Sequence, residues 1–313
     1  MIPNQSNLDA FFLGLDAKFW QGYQTAAVNW DKIAMLVPST SSATLQGWMQ
    51  SLPSLRKWTG SRIVQAPVLN SYRITNDPYE ETLAIDKFAF ADDEHMLYGP
   101  AAQFLGAQAA KWPDYMLYAM LAVASGDGPT AFDGKAMFAT DHPCDASNIL
   151  GAGTYANKFT TKALNADNFQ SVRQSMMGFK GPNGQAMGII PDLLVVPPEL
   201  EMEARMIMNG SFIAPGSLYG VAQVGSSSNI LQGMCDILVI PELSAVSATS
   251  WYLLSTKGPI KPFIFQQRQA PQFVYKNSPT DDDAFYKHQF VYGVEARGAV
   301  GVSLPFLACR ATA

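Results

Sequence analysis

Charge, histidine and cysteine are all scarce in this chain. Only 15% of its 313 residues are Asp, Glu, Lys or Arg, against roughly 25% in an average soluble domain. Low charge together with 12% aromatic residues and 14 methionines fits a surface covered by other chains, because interface cores are poor in charge and rich in aromatics and Met. An ordinary enzyme with few charges is the alternative. The net charge of −5 excludes a basic nucleic-acid binder, which would show clustered Lys and Arg. DNA nearby would not be gripped through its phosphates by bulk charge. The three cysteines, Cys144, Cys235 and Cys309, lie far apart with no C-x-x-C. That excludes a disulfide framework and fits a reducing compartment. No apolar run approaches the roughly 18 residues that span a bilayer, and no basic stretch leads into an apolar one at the start. Neither a membrane partner nor a signal peptide is expected.

What is present is apolar: 48% hydrophobic residues, enough at this length for one large or two modest domains. Residues 6–23, SNLDAFFLGLDAKFWQGY, set Leu8, Phe11, Phe12, Leu15, Phe19 and Tyr23 on one helical face. Ser6 is placed to cap that helix, with Asp9 three residues on, as in a capping box. So large an aromatic stripe must dock, on the chain's own core or on a neighbour. From about 44 to 90 the pattern turns to strands. Tyr72 and Ile74 alternate with polar residues, Asn76-Asp77-Pro78 makes a turn, and Leu83 and Ile85 alternate again, which predicts a β-hairpin. Ahead of it Trp48 and Trp58 flank Pro53, more aromatic surface than a hairpin buries alone. A long β-excursion that packs on something else is expected.

Residues 97–125 read as one long helix with Phe104, Leu105, Met116, Leu117, Met120 and Leu121 on its apolar side. Pro113 is expected to kink it or to open its second half. Segment 127–163 is turn-rich. Asn165 or Asp167 can cap a helix running to about Phe179. PDLLVVPP (191–198) reads as a buried strand, ELEMEARMIM (199–208) as a short helix, and MCDILVIPEL (234–243) as a second buried strand. The last third is strand-rich. With no repeat and no regular βαβ alternation, the class is α+β.

FATDHPCD (138–145) packs two aspartates, a histidine and a cysteine together in a chain with three His and three Cys. Zinc needs three or four Cys, His or carboxylate ligands, and no second His or Cys lies within 45 residues of His142 and Cys144. Ser147 stands where a zinc deaminase would place its next cysteine, and there is no H-x-E. A nucleophilic Cys144 would need an electropositive surround, which Asp141 and Asp145 oppose. Pro143 biases His142 to extended backbone and the aspartates favour turns. A structural turn is therefore expected, and a metal-dependent hydrolase centred on His142 would need distant carboxylates. Ser303, in G-V-S-L-P, lacks the last glycine of a nucleophile elbow. Gly128 to Lys135 has the wrong spacing for a P-loop, and Asp281-Asp282-Asp283 lacks the alternation of a calcium loop. No catalytic, cofactor-binding or metal-ligating set is expected.

Three stretches carry a family resemblance. GYQTAAVNWDKIAMLVPSTSSATLQGWMQSLPSLRKWTGSR (22–62), IDKFAFADDEHMLYGP (85–100) and FATDHP (138–143) closely resemble the major head subunits (major capsid proteins) of Mu-like phages, the gpT family. PDLLVVPPELEMEARMIM resembles the axial-domain element of that group. The resemblance implies the Hong Kong 97-type capsid fold. Its parts would be an N-terminal arm (1–42), an extended β-loop (43–92), a peripheral domain with a long spine helix (93–163), an axial domain (164–250) and terminal strands completing both (251–313). It implies a subunit that self-assembles as hexamers and pentamers into an icosahedral shell around double-stranded DNA, with no enzymatic activity and no cofactor. A non-viral shell of the same fold enclosing cargo is the alternative. The implied partners are further copies of the chain, a portal protein at one vertex, a separate scaffold and protease, decoration proteins, and DNA packaged without sequence-specific binding. The implied location is the virion, assembled in the host bacterial cytoplasm. Trp48, Leu52, Leu55 and Trp58 are the expected inter-subunit anchors, since Trp is enriched at interface hot spots. Phe11, Phe12 and Phe19 join them, and for each residue burial under its own subunit is the alternative. Lys57 lies near the loop tip, where some capsids of this fold cross-link Lys to Asn, but nothing in the sequence identifies such a bond.

Overall fold

The computed structural model describes residues 5–49, 69–88, 97–122, 126–144, 153–181, 184–213, 227–278 and 280–313. Its N-terminal helix spans Gln5–Thr25 and its long helix Tyr98–Ala122. The aromatic stripe settles how the first is placed: Leu8, Phe12, Leu15 and Phe19, spaced four, three and four residues apart, are all buried. They pack on Ala102, Leu105 and Ala109 of the long helix and on Phe290 and Tyr292 of a sheet. The two helices meet backbone to backbone. A Cβ on Gly106 would stand 2.8 Å from the Phe19 carbonyl carbon, and one on Gly22 would stand 2.7 Å from that of Gln103. Glycine is what lets the helices lie this close. Ser6 sits inside the first helix rather than capping it. Asp9 instead accepts from Gln5 Nε2 and from Asn277 Nδ2, both at 2.8 Å, so a tertiary partner replaces the local cap.

Two sheets form the body. The four-stranded sheet runs in the order Ala34–Pro38, Phe263–Lys276, Gln289–Val302, Asp77–Asp86, with the first pair parallel and the others antiparallel. The five-stranded sheet runs Asp236–Val239, Leu193–Val196, Trp251–Leu254, Ala308–Ala311, Lys158–Phe159. Every residue of its three inner strands is buried, which is why LLVV and WYLL show no alternation. One face, through Leu194, Val196 and Leu253, packs on the helices Ala166–Met177 and Glu201–Asn209. The other, through Leu193, Val195 and Tyr252, meets Leu117 and Leu121 of the long helix. Asn165 caps the helix Ala166–Met177, its side chain accepting from Asn168 N at 2.8 Å.

The hairpin expected around Asn76-Asp77-Pro78 does not form. Leu69–Thr75 pairs back to Ala43–Met49 as a two-stranded ribbon, while Asp77–Asp86 pairs with Gln289–Gly298. Asn76 is the buried junction between them. Its Nδ2 donates to Ser39 Oγ at 2.9 Å and Ser41 O at 2.8 Å, and its Oδ1 accepts from Gln266 Nε2 at 2.8 Å. An asparagine in a turn and one at a strand junction look alike in sequence. The long helix runs through Pro113 without stopping. Leu105, Leu117, Met120 and Leu121 are buried as the periodicity requires, but Phe104 is 65% exposed, on a face that no described element covers fully.

Candidate functional site

His142 is fully buried and lies in a short strand, His142–Pro143, where a structural turn is expected from the sequence. Pro143 extends the backbone, and His142–Pro143 pairs antiparallel with Thr154–Tyr155. The His142 ring stacks on Tyr155, centroids 5.1 Å apart, and its Nδ1 donates to Asp133 Oδ2 at 2.6 Å. The other Asp133 oxygen accepts from Lys135 N at 3.1 Å. Asp141, beside the histidine, forms an exposed ion pair with Lys135. Asn157, also buried, ties the same segment down: its Oδ1 accepts from Ala139 N, and its Nδ2 donates to Met137 O and Pro305 O, all within 2.9 Å. Sequence reasoning missed Asp133 and Asn157, since both look like turn residues.

An imidazole oriented by a carboxylate could act as a base only where a substrate can reach it, and this ring is sealed in. Among the described residues the buried His142 Nε2 has no hydrogen-bond partner. Burial pushes the Cys144 thiol up, with Lys180 opposing weakly, the wrong direction for a nucleophile. Among the described residues no group of three His, Cys, Asp or Glu could hold a metal. The cluster clamps an irregular segment onto the five-stranded sheet.

The expected interface residues divide. Phe12 and Phe19 are enclosed by the chain's own core and have no surface to offer a neighbour in this fold. For these two, burial under the same subunit replaces the expected inter-subunit contact, because the long helix and sheet supply a complete apolar surround. Phe11 is half-buried, in edge contact with Phe12 and Tyr98 at 5.5 and 6.3 Å. Trp48 belongs to the ribbon strand Ala43–Met49; Leu52, Leu55 and Trp58 lie outside the described residues.

One open surface stands out. The long helix and the strand Asp77–Asp86 bound a trough of about 560 Å³. Phe104, Gln108, Trp112 and Tyr115, three and four residues apart, form one wall, with Tyr79 and Val294 below and Glu80 and Glu81 at the rim. Trp112 meets Phe265 edge-on at 5.4 Å and leans on Tyr79 at 5.1 Å.

The model of the Mu-like prophage major head subunit gpT family matches residues 8–162, 155–243 and 242–313. The chain belongs to this family. The major capsid protein of Escherichia phage Mu is 24% identical to it over 301 residues, covering 96% of this chain and 72% of that protein. The procapsid of bacteriophage JBD30 contains a chain of like fold, with TM-score 0.58 and 23% identity over 99% of this chain and 76% of that one. The JBD30 capsid decorated with minor capsid protein trimers gives TM-score 0.54 and 21% identity over 70% of this chain and 91% of that one. This gpT-family subunit is thus a major capsid protein of the Hong Kong 97-type fold, a structural protein rather than an enzyme, and it works by joining copies of itself in a virion shell. Among the described residues no helix is long and apolar enough to cross a membrane. In such a subunit the buried His142–Asp133 pair holds shape.

Proposed function

We propose that copies of this subunit close into hexamers and pentamers and build an icosahedral shell around the double-stranded DNA of a Mu-like tailed phage. The observation that carries this is the family match from residue 8 to residue 313. Hydrophobic burial between copies supplies most of the driving force, and rings of this kind are heterologous contacts that close by rotation. Residues 1–42 act as the arm and Tyr98–Ala122 as the spine helix of a peripheral domain that extends over 93–163. The axial domain takes 164–250, and the strands after 251 complete both. The extended β-loop takes 43–92, and its strand Asp77–Asp86 joins the four-stranded sheet. Trp48, Leu52, Leu55 and Trp58 in that loop anchor neighbouring copies. A portal, a separate scaffold and protease, and decoration proteins complete the assembly in the host bacterial cytoplasm. The net charge of −5 suits a container that confines DNA without gripping it.

The test is electron microscopy of the expressed chain, alone and with its scaffold. Uniform closed particles are expected. A monodisperse monomer that assembles under neither condition would overturn the proposal.

A further inference from the structure

We infer that Ser39, Asn76 and Gln266 are positioning residues: together they form a buried polar lock that fixes the direction in which the ribbon Ala43–Met49 and Leu69–Thr75 leaves the body, so that each subunit presents it preset to the copies it joins. This rests on the capsid reading and adds which residues aim the ribbon. Side chains must do the aiming because no ladder does. Among the described residues the two ribbon strands pair only with each other. At the root, Ser39 N donates to Gln267 O and Asn76 N to Ser42 O, both at 2.9 Å. The first bond ties one root to the sheet and the second closes the ribbon's base, which is too little to set an angle.

Gln266 supplies what is missing. It ends the run FIFQ, in which all four residues are buried, and lies between Val37 and Ala299 in the middle of the four-stranded sheet. A fully buried amide there is costly unless it is bonded. Its Nε2 donates to Asn76 Oδ1 at 2.8 Å and to Ile74 O at 3.2 Å, both on the second root of the ribbon. Asn76 passes the constraint to the first root, donating to Ser39 Oγ at 2.9 Å and Ser41 O at 2.8 Å, and Ser39 Oγ lies 2.8 Å from Thr44 Oγ1. Swinging the ribbon would break bonds between groups at most 5% exposed, where water cannot replace them. Above the lock, Ile74 and Tyr72 lie on Gly301, whose Cβ would stand 2.5 Å from Ile74 Cδ1. The lever makes the angle matter. From Ala43 to Met49 the ribbon is about 20 Å long, so a tilt of about 10° at its root moves the far end by about 3.5 Å. Preset interfaces shift by about 1 Å or less on binding, and a preset ribbon spares each contact the cost of ordering it.

The direction is read as a distance. Spin labels at Met49→Cys, the last ribbon pair, and at Tyr286→Cys, 76% exposed on the body, are placed in a Cys144→Ser chain, whose remaining cysteines are buried. With the lock intact the unassembled subunit should give one narrow distance distribution. Gln266→Met, which keeps the volume and loses the donors, and Asn76→Ala should each at least double its width under conditions where circular dichroism shows the subunit fully folded. Without labels, the same two changes should raise the threshold concentration for particle formation, read by sedimentation and electron microscopy, at least about fivefold. A broad distribution with the lock intact, an unchanged width in both variants, or a wild-type threshold in both would overturn the inference. A wild-type chain that never forms particles would instead sink the capsid reading, while the label distances would still decide whether the lock sets the ribbon.

Discussion

Replacing Gly106 by alanine should destabilise the subunit by about 2 kcal/mol, although it puts a better helix former into a helix interior. Alanine is favoured over glycine there by about 1 kcal/mol. Against that gain stands the crossing with the first helix. The new Cβ would lie 2.8 Å from the Phe19 carbonyl carbon and 3.0 Å from Tyr23 N, and both are backbone atoms that cannot rotate away. The Phe19 carbonyl oxygen lies closer still, so reaching the 3.4 Å where ordinary contact begins means parting the helices by more than about 1 Å. Parting them loosens the layer in which Phe12, Phe19, Leu105 and Ala109 interlock. Overpacking of this kind costs about 1–3 kcal/mol, and with no side chain able to yield the upper end applies. Gly14, on the exposed side of the first helix, is the control, because nothing lies within 4 Å of its Cβ. Gly14→Ala should gain up to about 1 kcal/mol. Urea unfolding of the unassembled subunit, followed by circular dichroism, reads both as midpoint shifts at constant m. If Gly106→Ala raised the midpoint as Gly14→Ala does, the backbone contact would be absent in solution and the first helix would be misplaced.

Other parts of the structure give further expectations. Asp133→Ala or His142→Ala should each cost roughly 2–5 kcal/mol, because either leaves a buried polar atom of the other without its hydrogen bond; a midpoint within error of wild type would contradict the clamp. Alkylation of the native subunit should modify Cys144 slowly and leave Cys235 and Cys309 untouched, as read by mass spectrometry. Burial raises all three thiols, Cys235 to about 12, and encloses the last two; rapid labelling of Cys144 at neutral pH would reopen the nucleophile reading. Burial also raises the Asp114 carboxyl, against the amides of Asn29 and Trp30 that lower it. Between the ordinary carboxylate value of 3.8 and the raised one, the folded state keeps the proton and the unfolded chain loses it, so stability falls as pH rises. Asp114→Asn should remove that slope. A wild-type minus variant difference that stays flat from pH 3.8 to neutrality would refute it.

The first helix and the strands LLVV and WYLL were legible because their signals are local: aromatic spacing in one, an unbroken apolar run in the others. The hairpin was not. The alternation in 72–85 correctly marks strands on either side of Asn76, but their partners lie far off, at Ala43–Met49 and Gln289–Gly298. Local pattern carries no information on which edge captures a strand. Phe104 and Leu105 show the same gap at smaller scale. Adjacent on the helix, one is exposed and the other buried, and only the position of the first helix and the sheet decides which. Around His142 the sequence offers only Cys144 as a further histidine or cysteine. The side chain that mattered was Asp133, nine residues upstream, hidden among glycines and prolines that mark turns.

Several of the scarce charged groups hold the chain's own turns in place. Asp127 accepts from Lys158 Nζ and from one Arg310 guanidinium nitrogen, each at 2.7 Å, and a second Arg310 nitrogen donates to Ser250 Oγ at 3.1 Å. With Asp133 and His142, these groups fasten the irregular chain around 126–158 to the five-stranded sheet. Single exposed apolar residues are ordinary on any protein, but here they are large and fall in separate places. Phe104 opens on the trough, Phe285 and Tyr286 stack edge to face beyond the strand Phe263–Lys276, and Met202 and Met206 line the helix Glu201–Asn209. A ligand-binding protein gathers such groups into one pocket. A subunit enclosed by copies of itself needs them on several sides at once, because each heterologous contact uses two different surfaces of the same chain.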